Sequence, residues 1–183
     1  MNNIPNILTI LRIFFIPLII YLFFFGGDYS RLLASLVFLF ASITDYFDGY
    51  FARVMKQQTN FGEFLDPIAD KMLVITMLVL LVSENSDLLF VLPVIVIISR
   101  EFLVIAIRQR LAEINSKHKL KVLFISKIKT GSQLISLFFL LYKDSIFGFN
   151  SYLFGVYLLQ IASVLTIISF IYYVRMSWSA IIK

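Results

Sequence analysis

Predominantly apolar runs close to 20 residues long recur along this chain and constrain its fold more than any other feature. They cover 7–25, 31–53, 62–83, 88–110, 125–142 and 151–174, with polar breaks between them. At 1.5 Å of rise per residue, about 20 helical residues cross a hydrocarbon core about 30 Å thick. A chain of 183 residues with 60% hydrophobic and 15% charged side chains and a mean hydropathy of +0.92 carries more apolar surface than a soluble core of that size can hide. The expected fold is therefore an all-α integral membrane bundle of six transmembrane helices, forming one domain over 1–183. The breaks Gly26 to Ser30, Glu84 to Asp87 and Lys143 to Asn150 are short, so consecutive helices are expected to be antiparallel neighbours. Arg12 ahead of Ile13 to Phe25 imitates a secretory signal. The run ends in Gly26-Gly27-Asp28 without a small-x-small cleavage site, and it reads as the first span.

The basic residues set an orientation. Arg12, Arg53, Lys56, Arg110, Lys117, Lys119, Lys121, Lys127, Lys129, Arg175 and Lys183 fall on one side, and only Arg31 and Lys143 on the other. The positive-inside rule then predicts both termini in the cytoplasm of a bacterial-type cytoplasmic membrane. A net charge of +5 suits membrane lipids with anionic headgroups and phosphorylated substrates. Nucleic acid is not expected as a partner, because the basic residues flank apolar spans. The basic stretch Arg108 to Lys121 serves topology equally well. With no cysteine and a single His118, thiolate and multi-histidine metal sites are excluded. Any metal must be held mainly by oxygen, which favours Mg²⁺ or Mn²⁺.

Charges inside apolar spans cost about 2.5–3.5 kcal/mol each on insertion scales, so four aspartates at 45, 48, 66 and 70 call for a function. Asp45, Asp48, Gly49, Ala52 and Arg53 stand at i, i+3, i+4, i+7 and i+8, one stripe of a helix. Gly62, Asp66 and Asp70 repeat the pattern at i, i+4 and i+8 on the next helix, and the connection through Lys56 to Asn60 returns them to the same membrane level. Four convergent carboxylates repel unless a cation intervenes. Divalent metal with phosphate as a further ligand answers that need. Gly49, Ala52 and Gly62 would let a bulky headgroup approach the backbone, a role that competes with plain helix packing. Lys71 and Glu63 read as interfacial charges or supporting partners. The aromatic residues, 16% of the chain, read as lipid-facing or interfacial anchors.

The segment D-Y-F-D-G-Y-F-A-R, eight residues, G-E-F-L-D-P-I-A-D resembles the signature of the CDP-alcohol phosphotransferases at every defined position. That resemblance implies a six-helix membrane fold, a homodimer, and a cytoplasmic polar cavity holding a pair of Mg²⁺ (or Mn²⁺) ions. By the same resemblance Asp45, Asp48 and Asp66 would be metal ligands, and Asp70 the general base with a share in the metal. Asp48, Gly49, Ala52, Arg53 and Gly62 would shape the CDP site. N-I-P-N-I-L-T-I-L-R, L-D-P-I-A-D-K, S-R-E-F-L-V and S-K-I-K-T-G-S-Q further resemble the branch of the family that joins CDP-diacylglycerol to glycerol 3-phosphate. Ser126 departs from it, standing where that branch commonly has glycine.

On that reading the acceptor phosphate needs cations beyond the metals. Arg100, Arg108, Lys127 and Lys129 are available on the cytoplasmic side, with Thr9 and Arg12 on another. Arg100 and Arg108, two i+4 steps apart, share a helix face. The competing role of these residues is snorkelling to the interface or pairing with Glu101. Other members of the family would use phosphatidylglycerol (a cardiolipin synthase), serine, inositol or inositol phosphate. A divalent-cation transporter is the alternative from another class, although the four aspartates stay near one membrane face.

Overall fold

Each apolar run folds as one helix, because backbone groups surrounded by apolar side chains have only their own i−4 partners to satisfy them. The computed structural model describes residues 4–54, 60–113, 124–145 and 148–181, with side chains at all of these except 4–8, 45–54, 60–64, 66–67, 112–113, 124 and 179–181. The helices are α1 (Ile4–Phe25), α2 (Ser30–Val54), α3 (Asn60–Glu84), α4 (Leu88–Glu113), α5 (Phe124–Tyr142) and α6 (Ser151–Ile181). The last continues past the apolar run that announces it. Neither glycine nor proline interrupts 175–181, and the Ser177 hydroxyl donates back to the Tyr173 carbonyl at 2.9 Å.

Among the described residues, two helices are long and apolar enough to cross a membrane by length and composition, over Leu88–Leu111 and Ser151–Trp178. Thr9–Phe25 and Ser30–Thr44 are shorter apolar stretches. The basic-side halves of α2, α3 and α5 carry Asp45, Asp48 and Arg53, then Glu63, Asp66, Asp70 and Lys71, then Lys127 and Lys129.

Local signals place the helix ends. Ser30 N–H donates to the Gly27 carbonyl at 2.9 Å in the α1–α2 turn. A Cβ on Gly26 would lie 2.8 Å from the Leu22 carbonyl oxygen, so only glycine fits there. Asp87 caps α4 by accepting from Leu89 N–H at 3.2 Å, and Asn150 caps α6 by accepting from Leu153 N–H at 3.0 Å. Lys143 closes α5 with φ of 65°, a left-handed position usually given to glycine.

The helices pair as three hairpins, α1 with α2, α3 with α4, and α5 with α6. These close a ring through α1 against α3, α2 against α5, and α4 against α6, and α3 also touches α5. Consecutive helices are thus not always neighbours. Among the described residues α2 and α3 make no substantial contact, nor do α4 and α5. The reason is packing: α1 presents Ile16, Ile19 and Phe23 between Ala34, Phe38 and Ala41 of α2 and Leu73, Met77 and Leu81 of α3, all buried in one core. α6 stands likewise between α4 and α5. Large apolar side chains such as Phe14, Phe40, Val79, Phe102 and Ile168 remain exposed on the outside of the ring, as lipid-facing surface requires.

One end of the ring is tied by Glu84. Its carboxylate pairs with Arg31 and with Lys143 at 3.3 Å, while the Arg31 guanidinium stacks 3.8 Å from the Phe23 ring centroid. Asn85 hydrogen-bonds to Tyr152 beside it. The two cations that oppose the charge bias of the chain therefore share one acid.

Candidate active site

Asp70 lies ten residues into α3, at the level where this helix leaves its charged first half for the apolar core. Its carboxylate is about one-third exposed, and Lys71 Nζ lies 3.4 Å from Oδ2. The same ammonium reaches Glu101 Oε2 on α4 at 2.6 Å. Glu101 is buried, and its other oxygen accepts from Lys129 of α5 at 2.6 Å and from Arg100 at 3.2 Å. Arg100 continues to the Ser169 hydroxyl of α6 at 3.4 Å. One ionic chain thus runs from α3 through α4 to α5 and α6, beginning at Asp70.

Its energetics favour a fixed arrangement. Breaking a buried ion pair by removing one partner costs about 3–5 kcal/mol, because the remaining charge stays buried. A carboxylate shared by three cations avoids that penalty for none of them alone, which couples the three helices. Arg108, one helical face along from Arg100, donates from Nε to the Tyr173 hydroxyl at 3.2 Å, with its guanidinium carbon 6.0 Å from that ring. Both arginines therefore face α6.

The other residues singled out in the sequence are placed as follows. Thr9 and Arg12 are fully buried on α1, and neither lacks a partner. Lys127 is exposed at the start of α5. Asp45, Asp48, Gly49, Ala52 and Arg53 lie on the unbroken helical backbone of α2, and Gly62 and Asp66 on that of α3. Their side chains lie outside the described residues, as does His118 altogether. Among the described side chains no three acids or histidines group as a metal site. Asp70 joins Asp66 one turn away on a continuous helix, and its open carboxylate suits a hard, oxygen-seeking cation.

Two contributors escape the sequence reading. Glu101 figures there only as a partner for the neighbouring arginines, and Lys71 only as a supporting charge, yet they form the centre of the ionic chain. The available signal was Glu101 itself, an acid inside the apolar run 88–110. An apolar groove of about 500 Å³ lies between α2 and α5, lined by Phe38, Leu39, Ser42, Ile43, Leu134, Ile135, Phe138 and Phe139. It ends two residues before Asp45 along α2.

Six helices around an interior ionic cluster of Lys71, Glu101, Lys129 and Arg100, with two of them among the described residues long and apolar enough to cross a bilayer, make up a helical membrane protein. Residues 2–180 match the family model of the CDP-alcohol phosphatidyltransferases, and the chain belongs to that family. Three similar relatives are each named CDP-diacylglycerol--glycerol-3-phosphate 3-phosphatidyltransferase. The one from Pseudomonas fluorescens is 43% identical over 96% of this chain and 90% of its own length. That from Haemophilus influenzae is 39% identical over 96% and 93%, and that from Escherichia coli K12 37% identical over 93% and 92%. Membership of this family sets aside the cation-transport reading.

Proposed function

We propose that this protein transfers the phosphatidyl group of CDP-diacylglycerol to sn-glycerol 3-phosphate, giving phosphatidylglycerophosphate and CMP. The observation that carries the reading is the continuity of Asp70 with Lys71, Glu101, Lys129 and Arg100, which sets a proton acceptor beside cations fit for phosphate. The names of the relatives point to the same donor and acceptor.

Asp70 takes the proton of the acceptor's 1-hydroxyl as that oxygen attacks the phosphorus next to the lipid, and the bond to CMP breaks. Arg53, with Asp48, Gly49, Ala52 and Gly62, holds the CDP portion. Arg100, Arg108, Lys127 and Lys129, together with Thr9 and Arg12, receive the acceptor's phosphate. Asp45, Asp48, Asp66 and Asp70 would hold a pair of Mg²⁺ or Mn²⁺ ions, whose chemistry is to screen the diphosphate and polarise the phosphorus. The donor's acyl chains fit the groove between α2 and α5.

Six helices cross a bacterial cytoplasmic membrane in this reading, with termini and site on the cytoplasmic side and two copies forming a homodimer. The concentration of lysine and arginine on one side, against only Arg31 and Lys143 on the other, supports that orientation. The test is incorporation of labelled glycerol 3-phosphate into lipid by purified protein with CDP-diacylglycerol and Mg²⁺, beside an EDTA control. Metal-dependent product with release of CMP is expected. Transfer only to phosphatidylglycerol, serine or inositol phosphate would refute the acceptor, and no transfer by folded protein would refute the reaction.

A further inference from the structure

Around Glu101 three cations meet two carboxylates among the described residues: Lys71, Arg100 and Lys129 against Glu101 and Asp70. Glu101 divides its oxygens between them. Oε2 takes Lys71 at 2.6 Å, while Oε1 takes Lys129 at 2.6 Å and Arg100 at 3.2 Å. A structural ion pair needs one cation for each carboxylate, and surplus positive charge inside a bundle is costly unless an anion shares it. Arg100 also keeps donor capacity, since its buried Nε has no hydrogen-bond partner among the described residues. Lys71 lies nearer to Glu101 than to Asp70, 2.6 Å against 3.4 Å, so the Asp70 carboxylate is not closed into a tight pair.

We propose that Glu101 is a positioning residue for the acceptor. It holds Lys129 and Arg100 where together they receive the phosphate of a small phosphorylated alcohol, and it draws Lys71 back so that Asp70 stays open to the acceptor's hydroxyl. This rests on the glycerol 3-phosphate reading above and adds to it the residue that sets the distance between base and phosphate pocket. Glu101 touches neither substrate. Its loss therefore acts on the acceptor and leaves the nucleotide-lipid donor alone.

The experiment measures initial rates of the full chain in lipid nanodiscs, varying each substrate in turn, for wild type, Glu101→Gln and Glu101→Asp, with thermal unfolding of each. Glu101→Gln is expected to raise KM for glycerol 3-phosphate by about tenfold or more and to leave KM for CDP-diacylglycerol within about twofold. Glu101→Asp, which keeps the charge on a shorter side chain, should show a smaller rise of about threefold, again confined to the acceptor KM. Equal changes in both KM values, or none, in a variant that unfolds at the wild-type temperature would overturn the proposal. Should Glu101→Gln fail to fold, Glu101→Asp decides alone: a rise of about threefold or more confined to the acceptor KM supports the role, and an unchanged acceptor KM refutes it. Wild type that never uses glycerol 3-phosphate refutes the underlying reading first, before any variant is compared.

Discussion

The Ser136 hydroxyl donates to the Gly155 carbonyl at 2.7 Å in the buried seam between α5 and α6. That bond exists because α6 has no side chain at 155. A Cβ there would lie 2.8 Å from Leu140 Cγ and 3.1 Å from the Leu140 backbone nitrogen, so the helices would have to separate. Gly155→Ala is expected to cost about 1–3 kcal/mol, read as a lower unfolding midpoint in detergent. KM for both substrates should stay at wild-type values in the protein that remains folded.

Asp70→Asn keeps the size of the side chain and removes its capacity to take a proton. Asp70 is part-exposed and meets Lys71 only at 3.4 Å, so the variant should fold with little change in stability. Its kcat should fall by a factor of about 10²–10⁴, while CDP-diacylglycerol still binds. A kcat within about threefold of wild type would remove Asp70 from the role of base.

The groove between α2 and α5 gives a test for the lipid side. Ile135 lines it and is half exposed, so Ile135→Trp adds bulk to the groove without disturbing the core. The expected outcome is a KM for long-chain CDP-diacylglycerol raised by about fivefold or more, a smaller effect with short acyl chains, and an unchanged KM for glycerol 3-phosphate. Equal effects on long and short chains would place the acyl chains elsewhere.

Because the chain has no cysteine, single introduced cysteines report its topology directly. Asp28→Cys and Asp144→Cys lie in the connections on the Glu84 side, and His118→Cys in the basic connection between α4 and α5. A membrane-impermeant maleimide applied to intact cells should label the first two and reach the third only after permeabilisation. Labelling of His118→Cys in intact cells would invert the proposed orientation.

The helices were legible in the sequence nearly to their ends, since apolar length and glycine or capping residues at the breaks are local properties. Glu84 to Asp87 ends one helix and caps the next through Asp87 itself. The pairing of α1 with α2, α3 with α4 and α5 with α6 follows the short breaks. The insertion of α1 between α2 and α3 does not follow from any break. It depends on Ala34 and Ala41 offering a shallow face and on Ile16, Ile19 and Phe23 filling it, a fit between surfaces that no single run displays. At the site, Asp70 stood out by its spacing from Asp66, whereas Lys71 and Glu101 look like ordinary flanking charges until α3 and α4 are brought together.

What the sequence determined by itself was the number of the helices and, but for the C-terminal end of α6, their extent, together with the spacing of Asp45, Asp48, Asp66 and Asp70 along α2 and α3. Each depends on residues within a few turns of one another, where helical periodicity and the thickness of a bilayer dictate the pattern. Only the tertiary structure decided the ring order and the partners of Glu101. Lys129 and Glu101 are 28 positions apart, and Arg100 and Ser169 are 69 apart. Such pairs form when packed helix faces bring buried charges within reach, and burial leaves each charge no solvent in place of its partner.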